Sequence, residues 1–301
     1  MAASPSRQHL AEQITRLKES KGRYDQLLSD GQASGSKDLG LSDPESRNLK
    51  GPHGHLMGYN VQVAVDAKHD LIVAEEVTQA ANDVNQLSPL ALAAQQALQV
   101  EQLEAVADKG YYSADQLATC EAAGIRTFVP EPERTSGQGN GGVAVFPKEA
   151  FSYDAAADRY RCPAGRHLPH AMDDHKGGQE RFRYYDRAAC RDCALRSQCT
   201  TGAYRRITRR PHEEVAQRVA ARVAAHPQKV ARRKEMVEHV FGTLRNWGHD
   251  HFLMKGAEKV RAEFSLSALT YNLRRVLNVT GFDQLMAAMG TQAPKTVKAA
   301  G

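Results

Sequence analysis

At 301 residues, with 41% hydrophobic and 25% charged, the chain has the make-up of an ordered globular protein with room for one large domain or two modest ones. No apolar run reaches the length of a membrane span and no N-terminal segment resembles a signal peptide, which predicts a cytoplasmic protein without a membrane partner. The formal charge of +5 is uneven: residues 181–250 hold 16 Lys and Arg against 7 Asp and Glu, as expected of a surface for a polyanion such as nucleic acid, or of a solvated helical face.

In chain order, Leu10, Ile14, Leu17, Tyr24 and Leu28 recur at helical spacing between Ser6 and Leu28 and predict an amphipathic helix. Ser29 to Gly40 then reads as a flexible linker. GYNVQVAVD alternates, with Tyr59, Val61, Val63 and Val65 on one face and Asn60, Gln62, Ala64 and Asp66 on the other. AKHD is a tight turn, and LIVAEEVT returns as the second strand of a hairpin. Asn85 to Val100 reads as a helix with Pro89 in its first turn, and LEAVAD as a short strand. Ser113 to Gln116 has the form of a capping box opening a helix that Gly124 closes, and IRTFVPEP supplies another strand. This alternation predicts a mixed α/β sheet with helices on its faces. TSGQGNGGV marks a boundary before a cysteine- and arginine-rich section. Beyond it the chain reads as helical, with Val215, Val219 and Val223 on one face. Pro227 interrupts before KEMVEHVFGTLRNWG, and a last helix carries Val260, Phe264, Leu269, Leu273 and Val276 as core; the tail after Gly290 is expected to fray.

Three carboxylates stand out. Because Ser113 opens the helix, Asp108 in VADKGYYS is not needed as its cap and lies at the C-terminal end of a strand, where crevices form in open α/β sheets. Asp66 ends its strand with Asn60 and Gln62 on the same face. Glu238 lies between Lys234 and Arg245 on one helical stripe. Each also has a plain structural reading: Asp66 as a hairpin-turn aspartate, Asp108 as a loop residue beside Lys109, Glu238 as a surface glutamate. Together they suit two hard divalent ions, Mg²⁺ or Mn²⁺, acting on phosphodiesters, with the basic stripe meeting a DNA backbone.

At GYNVQVAVD, VADKGYYS, and VEHVFGTLRNWG followed by ALTYNLRRVL, the chain resembles bacterial insertion-sequence transposases with a DDE triad on an RNase H-like fold, over roughly residues 40 to 280. The resemblance implies Asp66, Asp108 and Glu238 as catalytic and metal-holding residues, with Lys234 and Arg245 on DNA; Lys109, from its place beside Asp108, is read as a further phosphate contact. It implies metal-dependent cleavage at transposon ends, strand transfer into target DNA, a homodimer and nucleoid association. Lys234 stands where the family often has arginine, and Ala231 where it often has tyrosine. The expected organisation is a helix and linker over 1–40, the first part of the catalytic domain over 41–134, a Cys/Arg-rich insertion over 135–210, a helical part completing the domain over 211–290 and a tail over 291–301. Only about 40 residues precede the match, where similar proteins commonly carry a further helical region. That leaves open a truncated, inactive remnant that binds DNA or a partner.

Cys162, Cys190, Cys193 and Cys199, spaced C-x27-C-x2-C-x5-C, fit a structural zinc site, with His167 as a substitute ligand, or a set of reduced thiols. Cys120 reads as core. Arg205, Arg206, Arg209 and Arg210 either grip phosphate or solvate the join, and Trp247 reads as core before base stacking. A zinc-stabilised binding module with structural carboxylates is the rival from another class.

Overall fold

The structure is a computed structural model that describes residues 7–34, 38–51, 54–132, 145–176 and 179–290. Helix α1 (Arg7–Ser34) leads into an antiparallel pair, β1 (Arg47–Gly51) and β2 (Gly54–Gly58), and then a second hairpin, β3 (Asn60–Val65) and β4 (Ile72–Thr78). Helix α2 (Leu87–Leu98), strand β5 (Leu103–Val106), helix α3 (Ala114–Ala122) and strand β6 (Ile125–Phe128) follow as a right-sized β-α-β unit whose strands pair in parallel. Strands β7 (Ser152–Asp154), β8 (Arg159–Arg161), β9 (His167–Lys176) and β10 (Gln179–Tyr184) come next. After the short helices α4 (Arg187–Arg191) and α5 (Arg196–Cys199), β11 (Ile207–Arg209) completes a five-stranded sheet of order β11-β10-β9-β8-β7. Helices α6 (Glu213–Ala225), α7 (Pro227–Asn246), α8 (Ala257–Thr280) and α9 (Phe282–Gly290) end the described chain.

The α/β class read from the sequence holds. The hairpin forms where the alternation places it, because Val61, Val63 and Val65 line one face of β3 and pack on a core of Tyr59, Ile72 and Val77 with Val240 and Leu244 of α7 and Val260, Phe264 and Tyr271 of α8. Each such fully buried aliphatic side chain contributes about 1.5–3 kcal/mol. Asn272 of α8 fastens that layer: its side chain accepts from Ile72 N–H at 2.8 Å and donates to Ile72 O at 2.7 Å, satisfying the backbone of β4. A second core joins α2, α3, β6 and α6 through Leu87, Ala91, Leu117, Cys120, Ile125, Val215 and Val219, so the valine face of α6 and the buried Cys120 lie where expected. A third, separate core under the five-stranded sheet holds Phe151, Tyr160, Leu168, Tyr184 and Ile207. Gly124, at φ +76°, turns the chain after α3 where a Cβ would meet Glu101 O at 2.8 Å.

Four local expectations change. The first half of the expected linker is helical, since α1 runs on to Ser34; residues 35–37 lie outside the described residues. The apolar stripe of α1 is not buried: Leu17 and Leu28 are 69% and 65% exposed. Ser113 is the N-cap residue of α3 but its side chain makes no capping bond. Gln116, the other half of the expected box, instead accepts from Ser88 N–H and Oγ on α2, because joining two helices satisfies a buried N–H that a local cap cannot reach. On α8, Val260 and Phe264 are core, whereas Leu269 and Leu273 face outward on the side that meets no other element of the core. The boundary TSGQGNGGV and the tail after Gly290 lie outside the described residues.

Candidate active site

Strand β5 ends at Val106 and Ala107 is buried, which delivers Asp108 to the rim of a cavity of about 340 Å³. The cavity runs between β3 and β5 and is also lined by α2, Asp83, Tyr111 and, from α7, Arg233, Val237 and Phe241. Asp108 Oδ1 accepts from Lys109 N–H at 2.6 Å and so caps a single 3₁₀ turn, Lys109–Tyr111. As expected, Asp108 does not cap α3, whose N-cap is Ser113, but a short turn between strand and helix takes one of its oxygens. Its other oxygen stands 3.6 Å from Arg233 Nη1.

Behind Asp108 lies a polar network that the sequence reading did not assemble. Gln62, only 1% exposed, donates to Asn60 Oδ1 at 2.9 Å and to Asp83 Oδ1 at 2.8 Å, and its Oε1 accepts from the Tyr111 hydroxyl. Asn60 Nδ2 donates to the same Asp83 oxygen at 2.8 Å. Burial, followed by the nearby Asp83 charge, pushes the Tyr111 phenol up to about 12, so it stays a donor at any physiological pH. The network pins the 3₁₀ turn, and with it Asp108, to strand β3. Its sequence signal was the pair of amides on one face of an otherwise apolar strand; Asp83 and Arg233 carried no signal of their own.

The other two carboxylates sit differently. Asp66 closes the β3–β4 turn: its Oδ2 accepts from His69 N–H at 2.8 Å, and its backbone N–H donates to Leu71 O at 2.8 Å. Here the plain reading of a hairpin-turn aspartate describes what the side chain does. Glu238 is exposed on α7, 3.8 Å from Lys234. The first turns of α7 touch both loops, since Arg232 donates to Ala67 O at 2.7 Å and Arg233 faces Asp108. Glu238 is five residues beyond Arg233, or about 8 Å along the helix axis. Among the described residues no three His, Cys, Asp or Glu side chains form a group able to hold a metal ion. The expected convergence of Asp66, Asp108 and Glu238 on Mg²⁺ or Mn²⁺ is thus not present in this placement: two of the carboxylates are held by local N–H groups and the third by a lysine. The residues as placed do not fit the ion.

The basic residues divide in the same way. Arg209 is 8% exposed, lies 3.8 Å over the Tyr153 ring and bonds Glu214 at 2.6 Å. Arg205 donates to Cys199 O and Phe146 O and stacks on Phe151. Both are spent on internal partners, which corrects their reading as phosphate grips. Arg206 and Arg210 are exposed, as are Lys234 and Arg245, and Lys109 lies beside Asp108 on the rim. Trp247 packs at the edge of the first core with Arg274 over its ring, in line with its core reading.

Cys162, Cys190, Cys193 and Cys199 line one small apolar cavity with Phe146 and Leu168. Burial raises the Cys199 thiol above its usual range. They too form no metal-holding group as placed, so zinc is not supported, and no disulfide joins them; His167 joins no such group either.

Residues 161–277 match the family model of a transposase DDE domain. The match begins just before Cys162 and runs through α7 with Glu238 to Leu277 at the end of the ALTYNLRRVL block, and it bears out the resemblance to DDE transposases of insertion elements. Comparison with curated proteins and with solved structures found no match. Among the described residues no helix is long and apolar enough to cross a membrane.

Proposed function

Starting from a chain whose residues 161–277 carry a transposase DDE domain, we propose that it cuts DNA strands at the ends of an insertion element and joins them to target DNA. The observation that carries this reading is the course of α7: the matched helix bears Glu238 and passes over the cavity whose rim holds Asp108. Asp108 and Glu238 are the carboxylates we assign to the chemistry, with Asp66 as the third. Lys109, Lys234, Arg206, Arg210 and Arg245 meet the DNA backbone, a role their exposure and the local charge excess support. Such domains typically work with a divalent metal ion. Because the carboxylates as placed do not fit one, the roles assigned here go no further than the side chains themselves. Arg233 stands 3.6 Å from Asp108 at the rim, and the Gln62–Tyr111 pair keeps its turn in place. Residues 135–210 are proposed as an insertion within a catalytic domain spanning 41–134 and 211–290, since their five-stranded sheet has its own core. The matched family supports this activity over a remnant that only binds DNA.

The test incubates the full chain with labelled duplexes bearing the element's own ends and divalent salts, and scores nicked and joined products beside a gel shift. Asp108→Asn and Glu238→Gln are expected to remove cutting while the shift persists. If Asp108→Asn cuts as well as the parent, the assignment fails. Asp66→Asn separates two roles: loss of cutting at unchanged melting temperature supports catalysis, whereas lowered stability with cutting retained assigns Asp66 to its turn alone.

A further inference from the structure

The inward-facing stripe of α7 changes character along its length. Val240 and Leu244 are buried in the first core, and Val237 lines the cavity beside β3. Four and eight residues before Val237, at the spacing that keeps to one helical face, the stripe carries Arg233 and Lys229 in place of apolar side chains. No residue from Pro227 to His239 is buried. A helix in a folded protein is held mainly by the packing of an apolar face. The half of α7 that leads up to Glu238 lacks such a face, so its roll and its position along the sheet are set by other contacts.

Three cations in this half each meet a partner on a different segment. Lys229 bonds Glu104 of β5, and its ammonium lies 4.5 Å from the centre of the Phe128 ring at the end of β6. Arg232 donates to the carbonyl of Ala67, the residue after Asp66, at 2.7 Å. Arg233, its side chain 24% exposed, stands 3.6 Å from Asp108 Oδ2. Each contact alone is a partly exposed polar pair of small energy, so their joint value is geometric. One tie lies on β5, one at the β3–β4 turn and one at the cavity rim. A helix that slid by a turn or rolled would break at least one of them. Glu238 depends on this, since its ion pair is with Lys234 of its own helix.

We propose that Lys229, Arg232 and Arg233 are positioning residues for strand cutting. Together they clamp the first half of α7 to the sheet and to the two aspartate-bearing loops, and so set where Glu238 stands relative to Asp66 and Asp108. Arg233 is the central member, because its partner is itself a carboxylate assigned to the chemistry; the clamp rests on that assignment. These three cations are directed onto protein oxygens, which leaves the exposed Lys234 and Arg245 for the DNA backbone.

The test measures single-turnover cutting by the full chain on the labelled element ends over a range of DNA concentrations. This separates the rate at saturation from the DNA needed to reach half of it. Arg233→Met, with Lys229→Met plus Arg232→Met as a second variant, is expected to lower the saturated rate about 10- to 100-fold, as a displacement of about 1 Å near the chemistry does. The half-saturating DNA concentration should stay within about twofold, and Arg233→Lys should recover most of the rate because it keeps the cation. Hydrogen exchange without DNA reads the clamp itself: amides of residues 231–239 should exchange faster in Arg233→Met, while those of 240–246 keep their protection. The clamp is overturned if the saturated rate is unchanged or if exchange over 231–239 does not move. It is overturned equally if only the DNA requirement rises, which would make Arg233 a DNA contact. Asp108→Asn, run alongside, separates two failures. Cutting lost there but kept in Arg233→Met sinks the clamp and leaves the catalytic reading standing. Cutting kept in Asp108→Asn sinks that reading and the clamp with it.

Discussion

Gln62→Leu removes the centre of the polar network behind Asp108 while nearly conserving side-chain volume, so it isolates the hydrogen bonds from any packing loss. The Tyr111 hydroxyl loses its acceptor and Asp83 loses one of its two amide donors. A buried hydroxyl without a partner costs about 1 kcal/mol, and a lost bond to an ionised carboxylate about 1.5 kcal/mol, for a total of roughly 2–3 kcal/mol. In a protein of this size that lowers Tm by roughly 3–5 °C. Urea unfolding at unchanged slope measures the free energy directly. The double variant with Tyr111→Phe checks the cause. If the two groups share one bond, the pair should cost less than the sum of the singles by at least about 0.5 kcal/mol. A Gln62→Leu penalty below about 0.5 kcal/mol, or strict additivity with Tyr111→Phe, would refute the claim that the network is satisfied as described.

Two further outcomes follow from the fold. Asn272→Ala strips both bonds that α8 makes to the backbone of Ile72 and should cost about 2–3 kcal/mol in the same urea assay, whereas an exposed neighbour such as Leu273→Ala should cost far less. Lys229, bonded to Glu104, holds that carboxyl below its usual range. Its folded pKa is lower than its unfolded one, so the stability it adds is complete above the ordinary glutamate range and drains as pH falls through and below that range. Lys229→Met should therefore flatten the acid side of the stability–pH profile, and an unchanged acid limb would remove the ion pair from the account.

The sequence made the local elements legible wherever a period dictated a face. The alternation from Tyr59 to Val65 specified a hairpin and the face of it that packs on α7 and α8, because a one-residue slip would turn those valines away. Val215, Val219 and Val223 did the same for α6, and Cys120 was readable as core from its place on an amphipathic helix. The DDE resemblance was legible too, since it rests on short blocks whose order along the chain needs no coordinates.

Other features depend on what lies opposite a residue, which no local pattern states. Leu269 and Leu273 share the period of Val260 and Phe264, yet nothing packs over them. Ser113 and Gln116 have the spelling of a cap, but Gln116 finds Ser88 across the helix pair. Arg209 reads as a phosphate grip until Tyr153 and Glu214 enclose it. Asp83 was silent in the chain and becomes part of the site only because β3 carries Gln62 to it and the 3₁₀ turn brings Tyr111. The sequence by itself determined most of the elements and the resemblance to DDE transposases. Only the tertiary structure decided which carboxylates are tied down and which arginines are enclosed, because hydrogen-bond partners are set by contacts between segments far apart in the chain.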